Sequence, residues 1–318
     1  MTCSGPTSTK PHSKRRSVNF TGATAGSGDQ SLSPSDQVAP VRRERTDWSD
    51  LGPRIASGLI LAIAGVTAAW FGGPLLAGAC GAAVVAMSYE WARMSEPDNI
   101  RPAFMFALAG SLGAVMFSSW QFLNYGFAWL VACAIASALR RRSARGFIET
   151  AGGAIYIGLP AALFVWLRDR GPEGLETILA LFAIIWSADI FAYFGGKIIG
   201  GLKVAEGLSP KKTWSGLATG TLAGSLAGYG CGVLFHADPE LRVAWLAIGA
   251  LIAVTGLAGD LFESFLKRRF GVKDASKLIP GHGGVLDRID SLMAATLLVG
   301  AALAFGPRAT TLLFGTGL

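Results

Sequence analysis

Apolar residues in this chain form long, nearly unbroken runs, not the short alternating or amphipathic patterns of a water-soluble fold. Nine runs approach the ~20 residues that a membrane span requires. They cover about 54–71, 74–92, 103–119, 122–139, 147–167, 175–198, 214–236, 241–265 and 290–314. Gly72-Gly73-Pro74 divides the first two, and the third and fourth part around Trp120 and Asn124. The pattern predicts an all-α, polytopic integral membrane protein of about nine transmembrane helices over residues 51–318. Within it, 51–170 supplies the N-terminal helices and 171–318 the helices that bear most of the polar clusters. Residues 1–50 are rich in Ser, Thr, Gly, Pro and charge, and read as a disordered tail. Their polarity also argues against a cleavable signal peptide.

Composition agrees with a lipid environment. Of 318 residues, 51% are hydrophobic and only 15% charged, against about 25% charged in soluble domains. The 42 glycines suit helices that pack closely in lipid. The net charge of +7 does not indicate nucleic-acid binding, because the basic residues lie in short loops between apolar runs. With the tail inside, the inner loops carry Arg93 and Arg101, then Arg140, Arg141, Arg142 and Arg145, then Lys197, Lys203, Lys211 and Lys212, and finally the group from Lys267 to Arg288. The outer side carries Arg168, Arg170, Arg242 and Arg308. This asymmetry predicts a cytoplasmic-side active site. Cys3, Cys80, Cys133 and Cys231 show neither disulfide nor metal spacing, and three of them read as apolar filler.

The polar residues that interrupt the runs are the candidate chemistry. Asp189 lies about two turns inside the sixth run, where an ionised carboxylate is costly unless paired or solvated. Ser209-Pro210-Lys211-Lys212-Thr213 resembles a helix start, with Ser at the cap and Pro at the first position. Free N–H groups there, beside two lysines, suit phosphate. At the end of the eighth run, Asp260, Glu263, Ser264, Lys267 and Arg268 fall at i, i+3, i+4, i+7 and i+8, on one helical face. Glu263 can equally pair with Lys267 as a structural element. Gly281-His282-Gly283-Gly284 forms a Gly-rich turn, with His282 either a phosphate donor or a turn cap. Asp287 and Asp290 follow, flanking Arg288. So many hard oxygen ligands suit Mg²⁺ with substrate phosphates.

The stretch Ser264-Phe265-Leu266-Lys267-Arg268, four residues, Lys273-Asp274, then Pro280-Gly281-His282-Gly283-Gly284-Val285-Leu286-Asp287-Arg288-Ile289-Asp290 resembles the signature of the phosphatidate cytidylyltransferase (CDP-diacylglycerol synthase) family. Asp189 through Gly196 and Ser209 through Trp214 resemble two further motifs in the same order, with Ser215 a departure where relatives commonly have Glu. The resemblance implies an enzyme of the bacterial inner membrane that joins CTP and phosphatidic acid into CDP-diacylglycerol and pyrophosphate. It further implies dependence on Mg²⁺, a second cation, and a homodimer. Under it, Asp260 and Asp287 hold the metal, with Asp290 and Asp189 behind or on a second ion. Ser209, Lys211, Lys212, Thr213 and His282 hold the CTP phosphates. Lys267, Arg268 and Arg288 receive the lipid phosphate or the pyrophosphate. Two other readings fit the same residues: a CTP-dependent polyprenol or lipid kinase, and a transporter of phosphorylated anions.

Overall fold

The computed structural model describes residues 51–141, 144–237, 239–276, 278 and 283–305. The expected tail, and His282 within the Gly-rich turn, lie outside them. Nine helices form among the described residues: α1 (Leu51–Phe71), α2 (Gly73–Ser95), α3 (Ile100–Ser119), α4 (Leu123–Arg141), α5 (Ala144–Arg168), α6 (Pro172–Ile198), α7 (Trp214–Leu234), α8 (Pro239–Arg269) and α9 (Leu286–Phe305). Seven of them, α2 through α8, are long and apolar enough to cross a membrane. In α9 the first turns carry Asp287, Arg288 and Asp290, which places its polar end among the loops.

Loop residues set the helix boundaries as the sequence leads one to expect. Gly72 and Gly73 adopt φ values of 63° and 50°, which only glycine accepts readily, and turn α1 directly into α2. Arg168, at the end of α5, closes that turn by donating to the carbonyls of Ala69 and Trp70. Those carbonyls are left over at the end of α1 and need a partner. Outward-facing side chains such as Ile60, Ile63, Leu222, Leu226 and Val243 are apolar and exposed, as expected of surfaces bathed by lipid.

One expected boundary moves. Ser209 and Pro210 do not begin a helix. Residues Ser209–Thr213 form a short strand, β2, paired antiparallel with β1 (Lys203–Ala205). Helix α7 begins only at Trp214, with Thr213 as its cap: the Thr213 hydroxyl accepts from the Gly216 N–H at 3.1 Å. Thr213 competes successfully because its side chain reaches the first free N–H groups of the helix. Pro210 is tolerated in a two-stranded ribbon because a strand with an open edge does not need every N–H.

The helices converge on α7 and α9 through missing side chains. Every fourth residue along one α7 stripe is a buried glycine: Gly216, Gly220, Gly224, Gly228 and, at the far end, Gly232. A Cβ at Gly220 would lie 2.7 Å from the Ala188 carbonyl of α6, and one at Gly228 would lie 2.5 Å from the Trp245 carbonyl of α8. The stripe therefore lets α6 and α8 pack against α7 at backbone contact, the usual source of cohesion where no hydrophobic drive between helices exists. Between α8 and α9 the same device operates at Gly259, whose Cβ would meet Ala294 at 2.5 Å and the Asp290 carbonyl at 2.8 Å.

Replacing Gly228 with Leu should therefore force α7 and α8 apart, an overpacking cost of about 1–3 kcal/mol or more. The thermal unfolding midpoint in detergent should fall by several degrees. Gly230→Leu is the control, since Gly230 faces open space and should leave the midpoint close to that of the parent.

Candidate active site

The predicted stripe on α8 forms, but its members part company. Asp260, Glu263 and Lys267 turn inward, whereas Arg268 is exposed. Glu263 is 1% exposed and forms an i,i+4 ion pair with Lys267 at 2.6 Å. The Lys267 ammonium also donates to Asp287 Oδ1 at 2.6 Å, so one cation joins α8 to α9. Asp287 Oδ2 accepts from the Gly284 N–H at 2.9 Å, satisfying one of the free donors before α9. Gly283, at φ 85°, turns the chain into this cap.

Asp260, Glu263 and Asp290 come together. Each offers a carboxylate oxygen within 4.8 Å of the others, the only such acidic group of three or more among the described residues. The close crossing at Gly259 makes this possible, because it brings the first turns of α9 against the last turns of α8. Asp290 is 6% exposed. Asp287, expected beside Asp260, lies outside this group and is occupied by Lys267 and Gly284. Like charges at this separation repel strongly in a medium of low dielectric. Three hard oxygen donors so placed fit a divalent cation of the Mg²⁺ type, which takes a few carboxylates and fills its remaining positions with water or phosphate.

The β1–β2 ribbon brings cations to the same place. Lys212, on β2, forms an ion pair with Asp260. Lys211 is exposed beside it and Ser209 is half-buried. Thr213 is 4% exposed, and its hydroxyl is committed to the α7 cap and to Ser215 at 3.0 Å. Thr213 thus fixes the lysines in space without presenting its own hydroxyl. Ser215 donates to the Gly200 carbonyl, which ties the first turn of α7 to the loop between α6 and β1.

Asp189 and Arg288 adjoin the carboxylates. Asp189 interacts electrostatically with Asp260, Lys212 and Arg288. Both residues line a cavity of about 460 Å³ whose remaining walls are mainly apolar, from Leu61, Ala68, Met87, Phe164 and Met293 among others. The lining combines a carboxylate and a guanidinium with mainly apolar walls, a composition that suits an amphiphilic ligand.

The sequence reading passed over Glu90. It sits near the end of an apolar run, with 0% exposure, and its carboxylate accepts from Ser276 Oγ and from the N–H groups of Val285 and Leu286. The available signal was a lone acid within a predicted span, which is costly there unless partnered.

Comparison with known proteins bears on the whole of this architecture. The cytidylyltransferase family profile matches residues 52–305. Proteins named phosphatidate cytidylyltransferase from Brucella abortus (strain 2308) and Brucella suis biovar 1 (strain 1330) are 38% identical over 258 residues, covering 79% of this chain and 92% of each relative. One of the same name from Rickettsia bellii (strain RML369-C) is 42% identical over 150 residues, 44% of this chain and 63% of that protein. On the profile match and the near full-length similarity together, the chain belongs to the cytidylyltransferase family.

Proposed function

We propose that this integral membrane enzyme transfers the cytidylyl group of CTP to phosphatidate, giving CDP-diacylglycerol and pyrophosphate. The observation that carries the reading is the joining of two features at one end of the helix bundle. A carboxylate group of metal-binding size is paired with Lys212 and Lys267, and it adjoins a mainly apolar cavity whose lining includes Arg288 and Asp189. A water-soluble triphosphate and a lipid phosphate need such a boundary site. Similarity to relatives bearing the phosphatidate cytidylyltransferase name supports the choice of substrates.

In this reaction a phosphatidate oxygen attacks the α-phosphorus of CTP, the new P–O bond forms, and the bond to pyrophosphate breaks in line. The lipid phosphate is already ionised, so no strong general base is required. The protein's work is alignment and charge neutralisation. Asp260 and Asp290 would hold Mg²⁺, with Glu263 at their back fixing Lys267. Asp189, which senses Asp260 and Lys212, would serve a second cation, while Asp287, held by Lys267 and the Gly284 N–H, would fix Lys267 beside the phosphates. When bound, the divalent ion supplies neutralisation of phosphoryl charge. Lys211 and Lys212 bind the CTP phosphates on a ribbon held by Ser209 and Thr213, with His282 as a further donor. Arg288, at the cavity, takes the lipid phosphate, while Lys267 and Arg268 receive charge that develops on pyrophosphate. The loop charges support a site on the cytoplasmic face of the bacterial inner membrane, and the family resemblance supports a homodimer.

Asp260→Asn, Asp287→Asn and Asp290→Asn should each reduce CDP-diacylglycerol formation on the order of 100-fold or more, with protein still inserted in the membrane. Near-normal turnover in any of them would remove that residue from the site. With CTP labelled separately at the α and γ positions, the α label should enter lipid and the γ label should leave as pyrophosphate. Lipid carrying the γ label would instead establish a kinase. Lys267→Met should also destabilise the protein by about 3–5 kcal/mol, because it strands two carboxylates in a largely buried setting. Adding Glu263→Gln should recover part of that loss in detergent unfolding measurements.

A further inference from the structure

Glu90 lies on α2, in the N-terminal half, yet every hydrogen bond described for its side chain runs to the segment that carries Asp287, Arg288 and Asp290. Its Oε1 accepts from Ser276 Oγ at 2.5 Å and from the Val285 N–H at 2.9 Å, and its Oε2 accepts from the Leu286 N–H at 2.8 Å. Val285 and Leu286 are the entry to α9. Their N–H groups have no carbonyl a turn earlier in that helix and must find an acceptor elsewhere. A carboxylate at this end satisfies them and complements the positive end of the helix dipole.

The fit is close on all sides. Glu90 is fully buried. A Cβ on Gly284 would lie 2.8 Å from Glu90 Oε1 and 2.9 Å from Oε2, so the second glycine of the pair leaves room for this carboxylate. The adjoining Gly284 N–H goes to Asp287. Two carboxylates therefore divide the free donors before α9: Glu90 takes Val285 and Leu286, and Asp287 takes Gly284. Ser276 precedes the His-Gly-Gly motif in sequence and Val285 follows it, so Glu90 grips the chain on both flanks of that motif.

We infer that Glu90 is a positioning residue: by fixing the start of α9 it sets where Asp287 and Asp290 stand relative to Asp260, and hence how tightly a divalent cation binds. The inference rests on the proposal that these carboxylates hold the ion. Glutamine has nearly the same shape but only one acceptor oxygen, and its amide would face a backbone N–H with another N–H. The entry to α9 would then shift while the rest of the bundle kept its packing.

The test uses the purified full chain in detergent. Mn²⁺ affinity is read from the free-ion electron paramagnetic resonance signal, and hydrogen exchange is followed in metal-free protein over the peptide containing residues 285–290. Glu90→Gln should weaken Mn²⁺ binding about tenfold, the scale seen when partners behind metal ligands are removed, and should accelerate exchange at that peptide with little change in α3 and α4. Ser276→Ala, which leaves both backbone bonds to Glu90 in place, should shift both readouts in the same direction by a smaller factor. Parent-like Mn²⁺ affinity in folded Glu90→Gln protein would overturn the inference. If that variant fails to fold, Ser276→Ala decides alone: weakened binding supports the role, and unchanged binding overturns it. Failure of the underlying metal assignment looks different, because Asp260→Asn would then bind Mn²⁺ as tightly as the parent.

Discussion

The site depends on a balance of charge at low dielectric. Asp260, Glu263 and Asp290 are drawn within a few ångströms of each other, and Asp287 is tied to the same group through Lys267. Left alone, such a cluster would be driven apart or protonated. Lys212 and Lys267 offset part of the negative charge, and a divalent cation with its phosphates offsets the remainder in the proposed reaction. The lysines thus have two functions that cannot be separated in the free protein. They pair with the carboxylates in the free protein, and in the proposed reaction they would also receive the phosphates of the substrates.

Close approach of backbones makes the balance possible. Gly259 lets α9 lie against α8 at the level of Asp260 and Asp290, and the α7 stripe draws α6 and α8 together so that Asp189 and the β1–β2 ribbon face the same point. The N-terminal helices are more than an anchor. Through Glu90, α2 reaches the entry to α9, and through Met87 and its neighbours it walls the apolar cavity. Chemistry concentrated in the last third of the chain is thereby braced by a helix from the first.

Much of this was legible in the sequence because the bilayer restricts what a chain can do. Long apolar runs admit only helices, so the spans and their Gly-Pro and Trp boundaries could be read directly. The three-to-four-residue spacing placed Asp260, Glu263 and Lys267 on one face, as found, but could not tell that Arg268 would turn outward. The Ser209-Pro210 signal was misleading for a local reason. Two cap residues, Ser209 and Thr213, compete within five positions, and pairing with Lys203–Ala205 decides in favour of the later one. Glu90 escaped notice because its partners lie 186–196 residues away, and no local pattern encodes so distant a contact. For the carboxylates, the reading from sequence grouped Asp260 with Asp287, whereas the structure groups Asp260 with Glu263 and Asp290. Spacing alone does not reveal that Lys267 and Gly284 would claim Asp287 while Asp290 turned toward Asp260.

The most direct test of the account is to locate the ion. Crystals of the protein grown with Mn²⁺ and a non-hydrolysable CTP analogue should give an anomalous difference peak about 2–2.3 Å from carboxylate oxygens of both Asp260 and Asp290. A peak at carboxylates elsewhere in the chain, or an ion held by the triphosphate alone with Asp260 and Asp290 turned away, would contradict the claim that α8 and α9 meet in order to hold it.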